Sequence, residues 1–173
     1  MIDIKNLSKS FDGVKVVDQI SCSINDGTVF GIVGSNGAGK STLLRTMSGV
    51  YDAEEGGIIY DGTEINNKLE NTPLILFLSD EMYYEPNDSI NSLAKRYKLF
   101  YKDFDDEKFS RILSVFSLNK KTRIEKLSKG MKKQAVLSVA LSCGAKYLFL
   151  DETLDGLDPI MRINAKKLIY EEI

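Results

Sequence analysis

The segment Gly34-Ser35-Asn36-Gly37-Ala38-Gly39-Lys40-Ser41-Thr42 constrains this chain more than any other. It fits the pattern G-x-x-x-x-G-K-[ST], which average residue usage would produce by accident in roughly one chain of this length in two hundred. Its context is the one the pattern requires. The apolar run Val29-Phe30-Gly31-Ile32-Val33 comes before it and reads as a short parallel strand covered on both faces. From Lys40 to Ser48 the pattern turns helical, with Gly49 as the stop. Strand, glycine-rich loop and helix in that order turn a row of backbone N–H groups toward an anion. Glycine is needed wherever a side chain would block a phosphate or where φ is positive. The helix N-terminus adds about half a positive charge. The segment therefore predicts a nucleotide phosphate site. Ser35, Asn36, Gly37, Ala38 and Gly39 wrap the phosphates, Lys40 reaches the β- and γ-phosphates, Ser41 coordinates Mg²⁺ and Thr42 contacts the phosphate chain.

A second cluster of chemistry lies at Tyr147-Leu148-Phe149-Leu150-Asp151-Glu152, an apolar strand that ends in two acids. Ligands of open parallel sheets gather at the carboxyl ends of the strands. Asp151 is therefore expected beside the Gly34 loop, supporting Mg²⁺ directly or through water. Glu152 is expected to polarise an attacking water as general base and, with Lys40, to carry γ-phosphate hydrolysis. The alternative is a strand ending in solvated acids.

The rest of the chain reads as alternating layers. Ile2 to Leu7 and Val14 to Ile24 alternate apolar with polar residues, as half-exposed strands do, and Asn25-Asp26-Gly27 is a turn. Ile58-Ile59-Tyr60 before Asp61-Gly62 predicts an edge strand, and Pro73 to Leu78 and Lys146 to Leu150 predict core strands. Between those two the pattern is helical. Ser89 is a candidate N-cap ahead of Ile90, Leu93, Ala94, Tyr97 and Tyr101, and Asp105 and Asp106 precede Phe109, Ile112, Leu113 and Phe116. Ser128 to Ser142 is apolar around much of its circumference and predicts a buried helix. Asp158-Pro159 opens a last helix. The expected fold is α/β: a P-loop NTPase core with an N-terminal antiparallel β region and a helical insertion. The core comprises 1–79 and 144–173, and the helical subdomain 80–143.

Composition narrows the functions left open. The 173 residues are 43% hydrophobic and 28% charged, which excludes disorder and suits one domain. Lys+Arg of 23 against Asp+Glu of 25 gives a net charge of −2, so there is no global basic footprint for nucleic acid. With no histidine, no His base or His metal ligand is available. Apolar runs fall far short of the roughly 18 residues a membrane helix needs, and Met1 to Lys5 does not open a signal peptide. Cys22 and Cys143, far apart in apolar surroundings, are expected to be free thiols in a reducing compartment.

The remaining motifs carry a resemblance. Leu127-Ser128-Lys129-Gly130-Met131, followed by Gln134, resembles the signature motif of ATP-binding-cassette (ABC) ATPases. Leu154-Asp155-Gly156-Leu157-Asp158-Pro159 resembles that family's D-loop, and the motifs stand in the family's order along essentially the whole chain. Read by itself, Ser128 is a helix N-cap beside a solvated Lys129. The resemblance implies a further role, in which Ser128 and Gly130 meet the γ-phosphate of ATP bound by a second subunit, so that two chains sandwich two ATPs head to tail. It also implies that Phe11 stacks on the adenine, with Val16 or Val17 completing the pocket; the plain alternative for Phe11 is a core or hairpin aromatic. Two departures stand out. The family's usual Gln after the fifth strand is replaced by Ser79-Asp80-Glu81, where Asp80 is the nearest equivalent and would bind Mg²⁺ through water, with Glu81 the alternative. The family's switch histidine and the strand before it are missing, and the chain ends at Ile173 inside a helix, so it resembles a truncated ATPase.

The resemblance implies a transporter-type ATP-binding subunit. It would hydrolyse MgATP at a composite homodimer interface and drive a separate integral membrane permease from the cytoplasmic face of the cell membrane. Met82, Tyr83 and Tyr84 fall where the permease would dock, or else cover the insertion's own core. The alternative is a soluble ABC ATPase acting on nucleic acid or the ribosome, for which the basic stretch Lys120, Lys121, Arg123, Lys126, Lys129, Lys132 and Lys133 is the relevant feature. The same stretch also reads as positive potential around the trans ATP or as a solvated face. The long insertions and paired cassettes of such proteins are not seen, so no nucleic-acid partner is expected. A small GTPase is disfavoured because no Asn-Lys-x-Asp motif occurs. The transported substrate, its direction and the permease are not encoded in these residues.

Overall fold

The computed structural model describes residues 1–64, 74–81 and 83–172. Its backbone divides into two compact units, residues 1–71 and 72–172.

The first unit is built on a long antiparallel hairpin. Strand β1 (Ile2–Phe11) pairs with β2 (Val14–Ile24) across the Asp12-Gly13 turn, where both residues take positive φ. Strand β3 (Glu55–Tyr60) lies on the other side of β1, and the two-residue β4 (Thr63–Glu64) closes the sheet in the order β2-β1-β3-β4. The Ile58–Tyr60 segment is thus an inner strand, with β4 taking the edge it was expected to form. Alternation buries Ile2, Ile4 and Leu7 on one face of β1, beside Val17 and Tyr60. The register slips between Ile4 and Leu7, where Asn6 is left-handed, a bulge that changes the local twist. Helix α1 (Lys40–Met47) ends as predicted. Gly49 takes φ 76° and its N–H bonds Thr46, while the Val50 N–H bonds Arg45, a Schellman closure.

One expectation fails here. Residues 29–33 form no strand, and Val29, Phe30 and Val33 are exposed, Val33 at 97%. A parallel strand exists only through the ladder a neighbour supplies. The sheet of this unit is antiparallel and does not include the run, so its apolar character alone does not make it a strand.

The second unit pairs β5 (Ile75–Leu78) with β6 (Tyr147–Leu150) in parallel, from Ile75 opposite Tyr147 to Leu78 opposite Leu150. Pro73 lies outside the described residues. Among the described residues four α-helices accompany them: α2 (Ile90–Lys98), α3 (Asp106–Val115), α4 (Lys129–Leu141) and α5 (Pro159–Tyr170). Each starts on a side-chain cap. Ser89 accepts from the Ser92 N–H while Ser92 Oγ accepts from the Ser89 N–H, Asp105 accepts from Lys108, Ser128 from Met131, and Asp158 from Ile160 and Met161. Helix α2 stops before Tyr101, whose hydroxyl instead donates to the Ile75 carbonyl at 2.9 Å.

A single apolar core unites strands and helices of this unit, with Leu76 and Leu78 of β5, Ile90 and Leu93 of α2, Ile112 of α3, Leu137 of α4 and Leu168 of α5 in one cluster. Residues 74–79 and 144–172 group with the helices because apolar side chains such as Leu76, Leu78, Leu148 and Leu168 share that cluster. The architecture is mixed α/β.

Candidate nucleotide site

In the first unit the glycine-rich loop is shaped by its own backbone. Gly37 and Gly39 take φ of 81° and 85°, the left-handed region that glycine enters without a Cβ clash. The Ala38 N–H donates to Ser35 O at 3.2 Å, tightening the turn. Gly39 is the N-cap of α1 and carries no side chain to cap it, while no acid occupies the first turn, so nothing anionic from α1 itself competes for the helix N-terminus. Lys40 folds back over the loop, its Nζ donating to Gly34 O at 3.0 Å and Ser35 O at 2.8 Å. The ammonium is thus held at the mouth of the loop by exchangeable carbonyl contacts.

Val16 joins this group. A Cβ placed on Gly39 would stand 2.5 Å from the Val16 carbonyl oxygen and 3.3 Å from its Cγ1, so β2 and the loop touch at that point. Val17 instead points into the core of the unit. Phe11 is 41% exposed, edge-on to Tyr51 at 5.3 Å between ring centroids, with the Lys9 ammonium 5.4 Å from its ring centre. An exposed ring with a cation near it is a flat, electron-rich surface.

In the second unit, the Asp151 N–H donates to Leu78 O at 2.9 Å, carrying the parallel ladder one residue past β6. Asp151 is buried and Glu152 exposed, and Glu152 has φ 52°, a conformation unusual for a non-glycine residue. Asp80 follows β5 by two residues, so the Asp80 loop and the Asp151-Glu152 pair leave the same end of the two strands. Ser128 caps α4, and Gly130 in its first turn faces the Gly156 carbonyl and Leu157, so the signature segment rests on the 154–159 loop.

Sequence reasoning missed one residue of this group. Lys133 belongs to the basic stretch that reads as a nucleic-acid contact, as positive potential around a trans ATP or as a solvated face, yet it is 2% exposed. Its Nζ reaches the Asp80 carboxylate at 2.5 Å and donates to Glu152 O at 2.9 Å. The Lys133 ammonium, by its hydrogen bond and then its charge, holds the Asp80 carboxyl below the usual carboxylate range. The signal was available in the helical phase, since Lys133 shares the stripe of Leu137 and Ala140. Its neighbour Lys132 also turns inward from the run, donating to the Tyr84 hydroxyl at 2.9 Å with its ammonium 5.1 Å from that ring. Tyr84 packs on the core, whereas Tyr83 is 76% exposed; Met82 lies outside the described residues. Both cysteines are free, and burial pushes the Cys143 thiol up to about 12.

The family model for ABC transporters matches residues 17–155, from β2 through the loop after β6. The chain belongs to the ABC transporter family. Among its curated relatives is the ABC transporter ATP-binding protein YtrB of Bacillus subtilis, 28% identical over the whole chain and 59% of the relative. The methionine import ATP-binding protein MetN of Clostridium tetani is 35% identical over 99% of the chain and 57% of its own length. The chain thus spans somewhat more than half of each of these curated family members. Among solved ABC structures, a putative ABC transporter ATP-binding protein from Pyrococcus furiosus aligns with a TM-score of 0.86 at 27% identity, over 98% of this chain and 84% of that one. No described helix is long and apolar enough to cross a membrane.

Proposed function

We propose that the chain is the ATP-binding and hydrolysing part of an ABC transporter. The observation that carries this reading is the 34–42 loop, where two left-handed glycines and a folded-back Lys40 form a cradle over the start of α1. Lys40 exchanges its carbonyl partners for the β- and γ-phosphates when ATP binds, and the loop N–H groups take the remaining phosphate oxygens. Phe11 and Val16 receive the adenine. Ser128 and Gly130, at the N-terminus of α4, meet the γ-phosphate of a second copy, so two chains close head to tail over two nucleotides.

The donor set suits Mg²⁺, which prefers a hydroxyl, one or two carboxylates, water and phosphate oxygens. In the first unit Ser41 would be its ligand, and in the second Asp151 would be one; Asp80, committed to Lys133, would act only through water. The chemistry that Mg²⁺ would supply there is neutralisation of charge on the phosphates. Glu152 orients the attacking water and takes its proton. Support for the transport role comes from relatives named as ATP-binding proteins of ABC transporters, one of them for methionine import. The partner is a separate membrane permease, moved by closure and reopening of the paired cassettes at the cytoplasmic face.

Calorimetric titration with MgATP tests the reading. Lys40→Ala removes a charge-assisted contact of about 1.5–3 kcal/mol, so affinity falls by about 10- to 100-fold or more. Unchanged binding would contradict the phosphate assignment. Glu152→Gln keeps binding while turnover drops by about 10²–10⁴-fold; a mild loss moves the base elsewhere.

A further inference from the structure

Lys133 has no part in the phosphate chemistry described so far, yet it is one of the most buried charged side chains described in the second unit. A desolvated ammonium is costly unless it is paired and hydrogen-bonded, and removing one partner leaves the charge exposed to that cost. Lys133 satisfies it with two partners from different segments: the Asp80 carboxylate at 2.5 Å, just past β5, and the Glu152 carbonyl at 2.9 Å, just past β6. The Glu152 carbonyl also accepts the Asp155 N–H at 3.0 Å. Two donors on one carbonyl fix the orientation of the Glu152–Thr153 peptide. They hold Glu152 in its left-handed conformation and so set the direction in which its side chain leaves the backbone.

We propose that Lys133 is a positioning residue that ties the Asp80 loop to the Glu152 peptide, so that the engagement of Asp80 decides how Glu152 is presented. This rests on the reading of Glu152 as the base. Lys133 touches neither nucleotide nor water in this scheme; it acts through Glu152. Asp80 in turn is first a partner of Lys133. When Asp80 shifts, Lys133 loses its counter-ion and the Glu152 carbonyl becomes its main partner. The peptide then reorients with no direct contact between Asp80 and Glu152. The arrangement explains a lysine inside the apolar phase of α4, and it gives the carboxylate at position 80 a role that glutamine, lacking a charge, would fill less well.

Amide NMR with turnover assays tests this. The Thr153 amide shares its peptide group with the Glu152 carbonyl, so its resonance reports what that carbonyl accepts. Asp80→Asn, at a half-exposed position, should displace the Thr153 amide in the same direction as Lys133→Met, although Asp80 does not touch that peptide. Adding Asp80→Asn to Lys133→Met should displace it no further. In turnover, Asp80→Asn should lower kcat about tenfold with KM for MgATP unchanged, and Lys133→Arg should recover more activity than Lys133→Met. A Thr153 amide that stays in place in Asp80→Asn overturns the tether, and does so even if Lys133→Met does not fold. So does an equal displacement by Asp80→Asn in the Lys133→Met background. The resonance needs no nucleotide, so a wild-type chain that failed to bind MgATP would refute the nucleotide reading while the tether was still decided by Thr153.

Discussion

Replacing Gly37 and Gly39 separately by alanine offers a matched test of how the phosphate loop is held. Both glycines sit at nearly the same φ, 81° and 85°. A Cβ in that region meets the following carbonyl, at about 1–2 kcal/mol. Beyond that the two positions differ. Nothing lies within 4 Å of a Cβ on Gly37, whereas a Cβ on Gly39 would stand 2.5 Å from the Val16 carbonyl oxygen, inside van der Waals contact with backbone that cannot swing away. Forcing such an atom in adds about 1–3 kcal/mol. Gly37→Ala should therefore cost about 1–2 kcal/mol and Gly39→Ala about 2–5 kcal/mol. Urea unfolding followed through the amide of Leu7, fully buried in β1 of the same unit, reads the difference directly. For a unit of this size the thermal midpoints should separate by about 4 °C or more per kcal/mol. Lys40 follows Gly39, so the displaced loop carries its ammonium along and MgATP affinity should fall further in Gly39→Ala than in Gly37→Ala. Equal losses of stability in the two variants, within about 0.5 kcal/mol, would show that Val16 does not brace the loop.

Two further outcomes follow from the second unit. The Tyr101 hydroxyl donates to Ile75 O, and burial pushes its pKa up to about 12. The folded chain therefore holds this proton more tightly than the unfolded chain, so the stabilisation is complete below about pH 10 and drains away as pH rises toward 12. Tyr101→Phe should cost about 1 kcal/mol at neutral pH and flatten the alkaline limb of a stability–pH curve; an unchanged limb would place its origin elsewhere. Thr153 carries a buried hydroxyl that has no hydrogen-bond partner among the described residues. Thr153→Val keeps the shape and removes the unsatisfied group, so its urea midpoint should rise, by about 1 kcal/mol of stability; a loss would mean that the hydroxyl is satisfied after all.

Local chemistry carried most of what could be read in advance. Ser89, Asp105, Ser128 and Asp158 each cap the helix they announce, because capping depends on a side chain and an N–H two or three residues away. The hairpin limits at Phe11 and Val14 follow from Asp12-Gly13, and the phosphate loop from its glycine spacing. These are short-range rules, and the chain states them within a few residues.

Tertiary structure decided what depends on distant partners. Residues 29–33 have the composition of a buried strand but no ladder, because composition cannot supply the neighbour. Ile58–Tyr60 became an inner strand because Thr63–Glu64 pairs outside it. Asp80 looks in sequence like a substitute metal ligand. In the fold its carboxylate pairs with Lys133, which is buried between Asp80, just past β5, and the Glu152 carbonyl, just past β6. The sequence by itself determined where the glycine-rich turn and the helix starts lie, since those need only adjacent residues. Which charges are buried, and what they hold, was decided only when segments far apart in the chain came to share one core.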